Sequence, residues 1–215
     1  MIKTILFDLD DTLYPRQTGI MNEIRRLILR YIETRLGLSP AEADSLRHEY
    51  LQAYGTTMRG LQVNHHIDPD EYLEFVHDFP LHDCLQPNPA LDEVLASLPQ
   101  DKVIFTNASR EHATRVLTVL GLARHFKRIV DIRDMGYESK PEPAAYRRIC
   151  EMLVVRPEEC LLVEDSVRNL RPARALGMMT VLVHGGSDSA DDSVDYSISR
   201  LEEIGRVLTN LAPDT

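Results

Sequence analysis

Cysteine is scarce. The 215 residues hold three thiols, Cys84, Cys150 and Cys160, with no CxxC pair among them. An odd count without paired spacing argues against a disulfide framework and points to a reducing, cytoplasmic setting. Long apolar runs are also missing, since no stretch approaches the ~20 residues of a membrane span. The opening MIKTILFDLD has one lysine, a short apolar run and then acids. It lacks the cleavage region of a signal peptide and reads as the first strand of the fold. Basic excess is absent too: 24 Lys and Arg stand against 34 Asp and Glu, for a net charge of -10. Such a chain has little to offer a nucleic-acid backbone. A small phosphorylated ligand is not excluded, because a bound metal ion can reverse the local field. Internal repeats and low-complexity tracts are lacking. With 43% hydrophobic and 27% charged residues, the composition is that of a globular protein. The length suits one large domain, or one domain carrying an insertion.

Against that ordinary background, Ile5 to Tyr14 reads ILFDLDDTLY. An apolar run with the character of a buried strand ends in three carboxylates within four positions. Like charges so close repel, and burial makes each costlier to ionise. Either they are solvated turn residues, or something positive and something reactive sits between them.

The texture along the chain locates this stretch in a fold. Ile20, Ile24, Leu27, Ile28, Tyr31 and Ile32 recur at helical spacing. Ser39-Pro40-Ala41-Glu42 offers an N-cap, a proline at N1 and an acid at N3, and Asp68-Pro69-Asp70-Glu71 repeats the signature. Residues 16–85 are therefore expected to be entirely helical. After Pro87 short apolar strands (DKVIF, RIVDI, CLLVED, MTVLV and a last DYSIS) alternate with helices, one starting at Asn88-Pro89, one capped by Ser109 and one beginning at Pro143. GGSDSADDSVD is a polar loop. Alternation of this kind predicts an α/β fold with a Rossmann-like parallel sheet. The core is assigned to residues 1–15 and 86–215, and the inserted helical cap to 16–85.

In open parallel sheets, ligands bind beyond the carboxyl ends of the strands. There the sequence places Asp8, Asp10, Asp11 and Thr12, then Thr106 and Asn107, then Glu164 and Asp165, with Lys140 in the loop GYESKPEP. In an extended chain Asp8 and Asp10 face one side, ~6–7 Å apart, a spacing that lets two carboxylates flank one phosphorus atom. One can attack while the other protonates the leaving oxygen. Asp11 alternates to the other side and is read as a local backbone or solvent residue. Asp165, with Glu164 beside it, offers hard oxygen ligands for Mg²⁺. Lys140 and the N-terminus of the helix after Thr106-Asn107 suit a phosphate dianion.

FDLDDT, FTN, SKPEP and VEDS, in this order, resemble the four motifs of the haloacid dehalogenase-like phosphatases. The similarity spans residues 1–15 and 86–200, and the helical insertion resembles the family's smaller type of cap. The resemblance implies that Asp8 is the nucleophile forming an aspartyl-phosphate, and Asp10 the general acid and then base. Thr106, Asn107 and Lys140 would hold the phosphoryl oxygens. Mg²⁺ would be bound by Asp8, the main-chain carbonyl of Asp10, and Asp165. At Glu164 some relatives ligate directly and others through water. Ser166 and Asn169 would support the metal shell. A dehalogenase is disfavoured, since those relatives lack the second aspartate of the first motif, here Asp10. A phosphatase or phosphomutase for another small phosphometabolite, such as a sugar phosphate, would use the same core. A non-catalytic phosphate-binding protein has no positive support, because every catalytic position is filled.

Within the cap, YGTTMRGL (Tyr54 to Leu61) puts two glycines, two hydroxyls and an arginine between expected helices, as an interhelix turn would. It and, after the last motif, VEDSVRNLRPARALGM are also similar to the pyrimidine 5′-nucleotidase branch. That similarity implies a nucleotide substrate such as UMP or CMP, with Thr57 and Arg59 facing its base or ribose. Other residues read blandly. His65-His66 lacks a multi-ligand pattern and is expected to face solvent. Arg168, Arg171 and Arg174, three apart on a helix, are expected to form surface ion pairs. Sequence sets no oligomeric state.

Overall fold

A computed structural model describes residues 1–183 and 191–210. The polar stretch 185–195 thus lies largely outside the described residues. The chain divides into two compact units, Met1–Pro15 with Leu85–Thr215, and Arg16–Cys84. Among the described residues no helix is long and apolar enough to cross a membrane.

The first unit is built on six strands: β1 (Thr4–Phe7), β2 (Asp101–Phe105), β3 (Arg128–Val130), β4 (Cys160–Glu164), β5 (Met179–Val183) and β6 (Tyr196–Ile198). They pair in parallel in the order β3-β2-β1-β4-β5-β6. Ile5, Leu6 and Phe7 are fully buried, as a central parallel strand requires. The chain adds β2 and β3 on one flank of β1 and then crosses to β4 on the other. The carboxyl end of β1 therefore lies where the strand order reverses, the usual ligand crevice of such sheets.

Helices α5 (Pro89–Ser97), α6 (Arg110–Leu120), α7 (Pro143–Leu153) and α8 (Val167–Ala175) connect the strands, and α9 (Ile204–Asn210) follows β6. Two of the expected helix starts are capped: Asn88 accepts from the Leu91 amide and Ser109 from that of His112. Arg171 and Arg174 pair with Asp191 and Asp195, at 2.8 and 3.2 Å.

The second unit is helical throughout its length, with α1 (Ile20–Leu36), α2 (Pro40–Tyr54), α3 (Thr57–His65) and α4 (Pro69–His77). Ser39 and Glu42 form the reciprocal capping box read from their spacing. YGTTMRGL departs from its reading as an interhelix segment. The turn is confined to Gly55 and Thr56, and from Thr57 onward the stretch is the first turns of α3, with Thr56 as its N-cap. Gly60 serves packing instead of turning. A Cβ there would stand 2.2 Å from Tyr50 Cγ on α2, so the glycine lets the two helices meet over that ring. His65 is exposed but accompanied, its Nε2 lying 2.8 Å from the Tyr50 hydroxyl.

Gly60→Ala is therefore expected to destabilise the helical unit by about 1–3 kcal/mol, the usual cost of overpacking. Urea or thermal unfolding reads the change, and an unaltered midpoint would contradict this packing.

Candidate active site

The site is assembled at the carboxyl ends of β1, β2 and β4. Asp8 follows β1 directly, and its amide donates to the Val163 carbonyl of β4 at 2.9 Å. Beyond it the chain does not stay extended. The Thr12 and Leu13 amides turn back to the Leu9 carbonyl, and Asp11 takes a left-handed φ of 60°. The extended spacing expected for Asp8 and Asp10 is thus replaced by a turn. An aspartate tolerates the left-handed conformation at Asp11 better than most residues, which fits its reading as a local backbone residue.

Lys140 is the centre of the cluster. Its Nζ donates to Asp8 Oδ1 at 2.7 Å and to Glu164 Oε1 at 2.9 Å, and it lies 5.1 Å from the centre of the Phe105 ring. All three ionic groups are buried, with Lys140 only 1% exposed and Glu164 wholly covered. Thr12 donates to the second oxygen of Asp8 at 3.3 Å. Glu164 also receives the Asn169 amide at 2.6 Å and the Ser166 N–H at 2.9 Å.

Asn107 makes contacts that its expected part in holding phosphoryl oxygens did not include. Its Oδ1 accepts from the Lys140 N–H at 2.8 Å, and its Nδ2 donates to the Lys140 carbonyl at 3.0 Å. Both ends of the amide thus clamp the backbone that carries the lysine. Thr106 is 1% exposed and its Oγ1 accepts from the Ala108 N–H. The first amides of α6, expected for phosphate, are partly committed. Arg110 N–H donates to Asp131 and His112 N–H to Ser109.

Burial opposes charge on all three groups, and the outcome differs among them. Burial and then the Glu164 charge push the Asp8 carboxyl well above its usual range, against the pull of Lys140. For Glu164 burial is overcome by Lys140 and by its hydrogen bonds, which hold it below the ordinary value. For Lys140 burial is likewise overcome by Asp8 and Glu164, which hold the ammonium more firmly protonated than a free lysine.

Carboxylate oxygens of Asp8, Glu164 and Asp165 lie within 4.8 Å of one another. Three carboxylates against one ammonium leave two negative charges unbalanced. A hard divalent cation with oxygen ligands matches both the donor set and the charge. The residues present therefore fit Mg²⁺.

Two residues not singled out in the sequence also reach the site. Tyr14 donates to Asp10 Oδ1, and His112 Nε2 lies 2.9 Å from the same oxygen. Tyr14, four residues beyond Asp10, is the more findable of the two. Nothing in the order of residues ties His112 to a turn 102 positions away. The specificity candidates lie in the helical unit: Thr57 is buried at the start of α3, and the Arg59 guanidinium donates to Gln62 at 2.7 Å.

A model of the haloacid dehalogenase-like hydrolases matches residues 2–177. The chain belongs to this family. Within it the protein is 30% identical over 242 residues to Glyceraldehyde 3-phosphate phosphatase of Methanopyrus kandleri, with the whole of both chains covered. It is 29% identical over 195 residues to Phosphate metabolism protein 8 of Saccharomyces cerevisiae, covering 84% of this chain and 61% of that protein. The solved HAD phosphatase from Thermococcus onnurineus is 25% identical, with a TM-score of 0.66 over 96% of this chain and 98% of that one.

Removing the ammonium while its two carboxylates stay buried breaks a compensated cluster. Lys140→Met, in chelator, is expected to lose about 3–5 kcal/mol of stability. Urea unfolding measures it, and a loss below about 1 kcal/mol would mean that the carboxylates are not charged as described.

Proposed function

We propose that this hydrolase is a Mg²⁺-dependent phosphatase that cleaves small phosphate monoesters through an aspartyl-phosphate on Asp8. The observation that carries the reading is the buried triad Asp8–Lys140–Glu164, with Asp165 beside it and Asp10 on the adjoining turn. Uncatalysed phosphate-monoester hydrolysis is among the slowest reactions known, with enzymic accelerations up to ~10²¹-fold. Splitting it into two displacements at a fixed carboxylate lowers each barrier.

In the first step a carboxylate oxygen of Asp8 forms a bond to phosphorus as the bond to the leaving oxygen breaks. Asp10 gives its proton to that oxygen. In the second, Asp10 takes a proton from water, the water oxygen bonds to phosphorus, and the Asp8–phosphorus bond breaks. Inorganic phosphate leaves and Asp10 is again protonated. Lys140 fixes the attacking carboxylate and stabilises the transferring charge. Thr106, whose oxygen already accepts from Ala108, has its hydroxyl hydrogen to give to the phosphoryl group. Asp8, Asp165, Glu164 and the Asp10 carbonyl would hold Mg²⁺, which when bound offsets the surplus carboxylate charge and polarises the phosphoryl oxygens.

Two substrate classes follow from different observations. The likeness of VEDSVRNLRPARALGM and YGTTMRGL to pyrimidine 5′-nucleotidases supports UMP or CMP. The end-to-end match to Glyceraldehyde 3-phosphate phosphatase supports a three-carbon sugar phosphate equally well. Burial of Thr57 and the pairing of Arg59 with Gln62 give the first class less from the helical unit than its sequence promised.

Asp8→Asn should cut kcat by at least ~10³-fold while leaving the fold intact, because an amide does not readily attack phosphorus. Turnover near wild type would exclude the covalent mechanism. Activity should vanish on exhaustive chelation and return with Mg²⁺ but poorly with Ca²⁺, whose looser coordination misplaces the nucleophile. Phosphate release across UMP, CMP, purine nucleotides, glyceraldehyde 3-phosphate and phosphoglycolate separates the substrate classes. If pyrimidine nucleotides lead, Arg59→Ala should lower kcat/KM for them more than for an aryl phosphate. No turnover of any nucleotide beside brisk turnover of a sugar phosphate would remove the nucleotidase reading and leave the phosphatase.

A further inference from the structure

Asp10 is held in an unusual way for a residue on a turn. Its side chain is 18% exposed, yet two groups buried beneath it converge on one oxygen, Oδ1. One is the hydroxyl of Tyr14, which is 2% exposed, and the other is Nε2 of His112, which is fully covered. Tyr14 reaches back across the same turn from four residues away. His112 comes from the first turn of α6, where Ser109 caps its backbone N–H at 3.3 Å. The ring is therefore fixed at its root by a helix cap and at its tip by the carboxylate.

We propose that His112 is a positioning residue for Asp10. Its Nε2–H, with the Tyr14 hydroxyl, locks the carboxyl group so that the other oxygen, Oδ2, carries the proton to and from the reacting oxygen. This rests on the general acid–base reading of Asp10 given above. A carboxyl on a turn has two side-chain torsions to settle, and one hydrogen bond leaves it free to swing about the bonded oxygen. Two donors from different elements on a single oxygen set the direction of the second. Proton transfer needs that direction, since a misplacement of ~1 Å can cost 10²-fold. In the first displacement the proton passes from Asp10 to the leaving oxygen as the oxygen–phosphorus bond breaks and the bond to Asp8 forms. In the second it returns from the attacking water.

The test compares phenyl phosphate, whose leaving group needs a proton, with 4-nitrophenyl phosphate, whose leaving group scarcely does. The readout is kcat/KM, which reports formation of the aspartyl-phosphate, for wild type, Asp10→Asn, His112→Leu, His112→Gln and Tyr14→Phe. His112→Leu should lose ~10–100-fold on phenyl phosphate and less than ~3-fold on 4-nitrophenyl phosphate, following Asp10→Asn in direction. His112→Gln, whose amide can donate from nearly the same place, should restore most of the loss. Tyr14→Phe should show the same selectivity and keeps the inference testable if His112→Leu does not fold. Selective loss in Asp10→Asn, with equal or no losses in the His112 and Tyr14 variants, would overturn the positioning role and leave the phosphatase mechanism standing. Equal loss on both substrates in Asp10→Asn would overturn the acid assignment, and this inference with it.

Discussion

The buried ammonium of Lys140 governs the arrangement of the site. Taking an ion out of water carries an effective penalty of several kcal/mol, which only close and well-directed partners offset. The lysine meets that condition through Asp8 and Glu164, and each of these is held in turn. Asn107 clamps the lysine backbone, Asn169 and the Ser166 amide fix Glu164, and the Asn169 carbonyl receives the Tyr146 hydroxyl at 2.6 Å. Tyr146 packs edge-on against Phe105, the ring over which the ammonium lies. Apolar packing and charge placement are thus parts of one construction. Slackness in any member leaves a buried charge short of a partner.

The same construction gathers three carboxylates around one ammonium. Surplus negative charge at Asp8, Glu164 and Asp165 is unfavourable in isolation, as the raised Asp8 value records. A bound divalent cation would relieve it and would favour the carboxylate form of Asp8.

Much of this was legible because the relevant signals are local. Strand ends, proline-marked helix starts and the caps at Ser39, Asn88 and Ser109 depend on a few adjacent residues, and the structure keeps them. Motif order carried the family. What escaped was contact between distant positions. Gly60 reads as a turn residue until the Tyr50 ring is seen against it, because helix–helix approach has no signature in a short window. The clamp that both ends of the Asn107 amide place on Lys140 joins positions 33 residues apart, which no short window of sequence displays. The alternation rule for Asp8 and Asp10 assumed a strand that runs on, whereas the Leu9 carbonyl gathers the Thr12 and Leu13 amides into a turn. His112 and Asp10 meet only because α6 follows β2, the strand beside β1.

The strand order bears on how such a molecule comes into being. β1 is the first element of the sheet, yet it stands between strands whose paired residues begin at Asp101 and Cys160. During synthesis β1 has to wait until Asp101 and the residues after it, and later Cys160 and those after it, have emerged before its two flanks can close upon it. Helical contacts between near neighbours can form during that interval, whereas the central pairings are long-range and slow. The acids that follow β1 then keep an otherwise sticky apolar strand hydrated and self-repelling while it waits. The same carboxylates can thus serve, before folding is complete, as gatekeepers against misassociation.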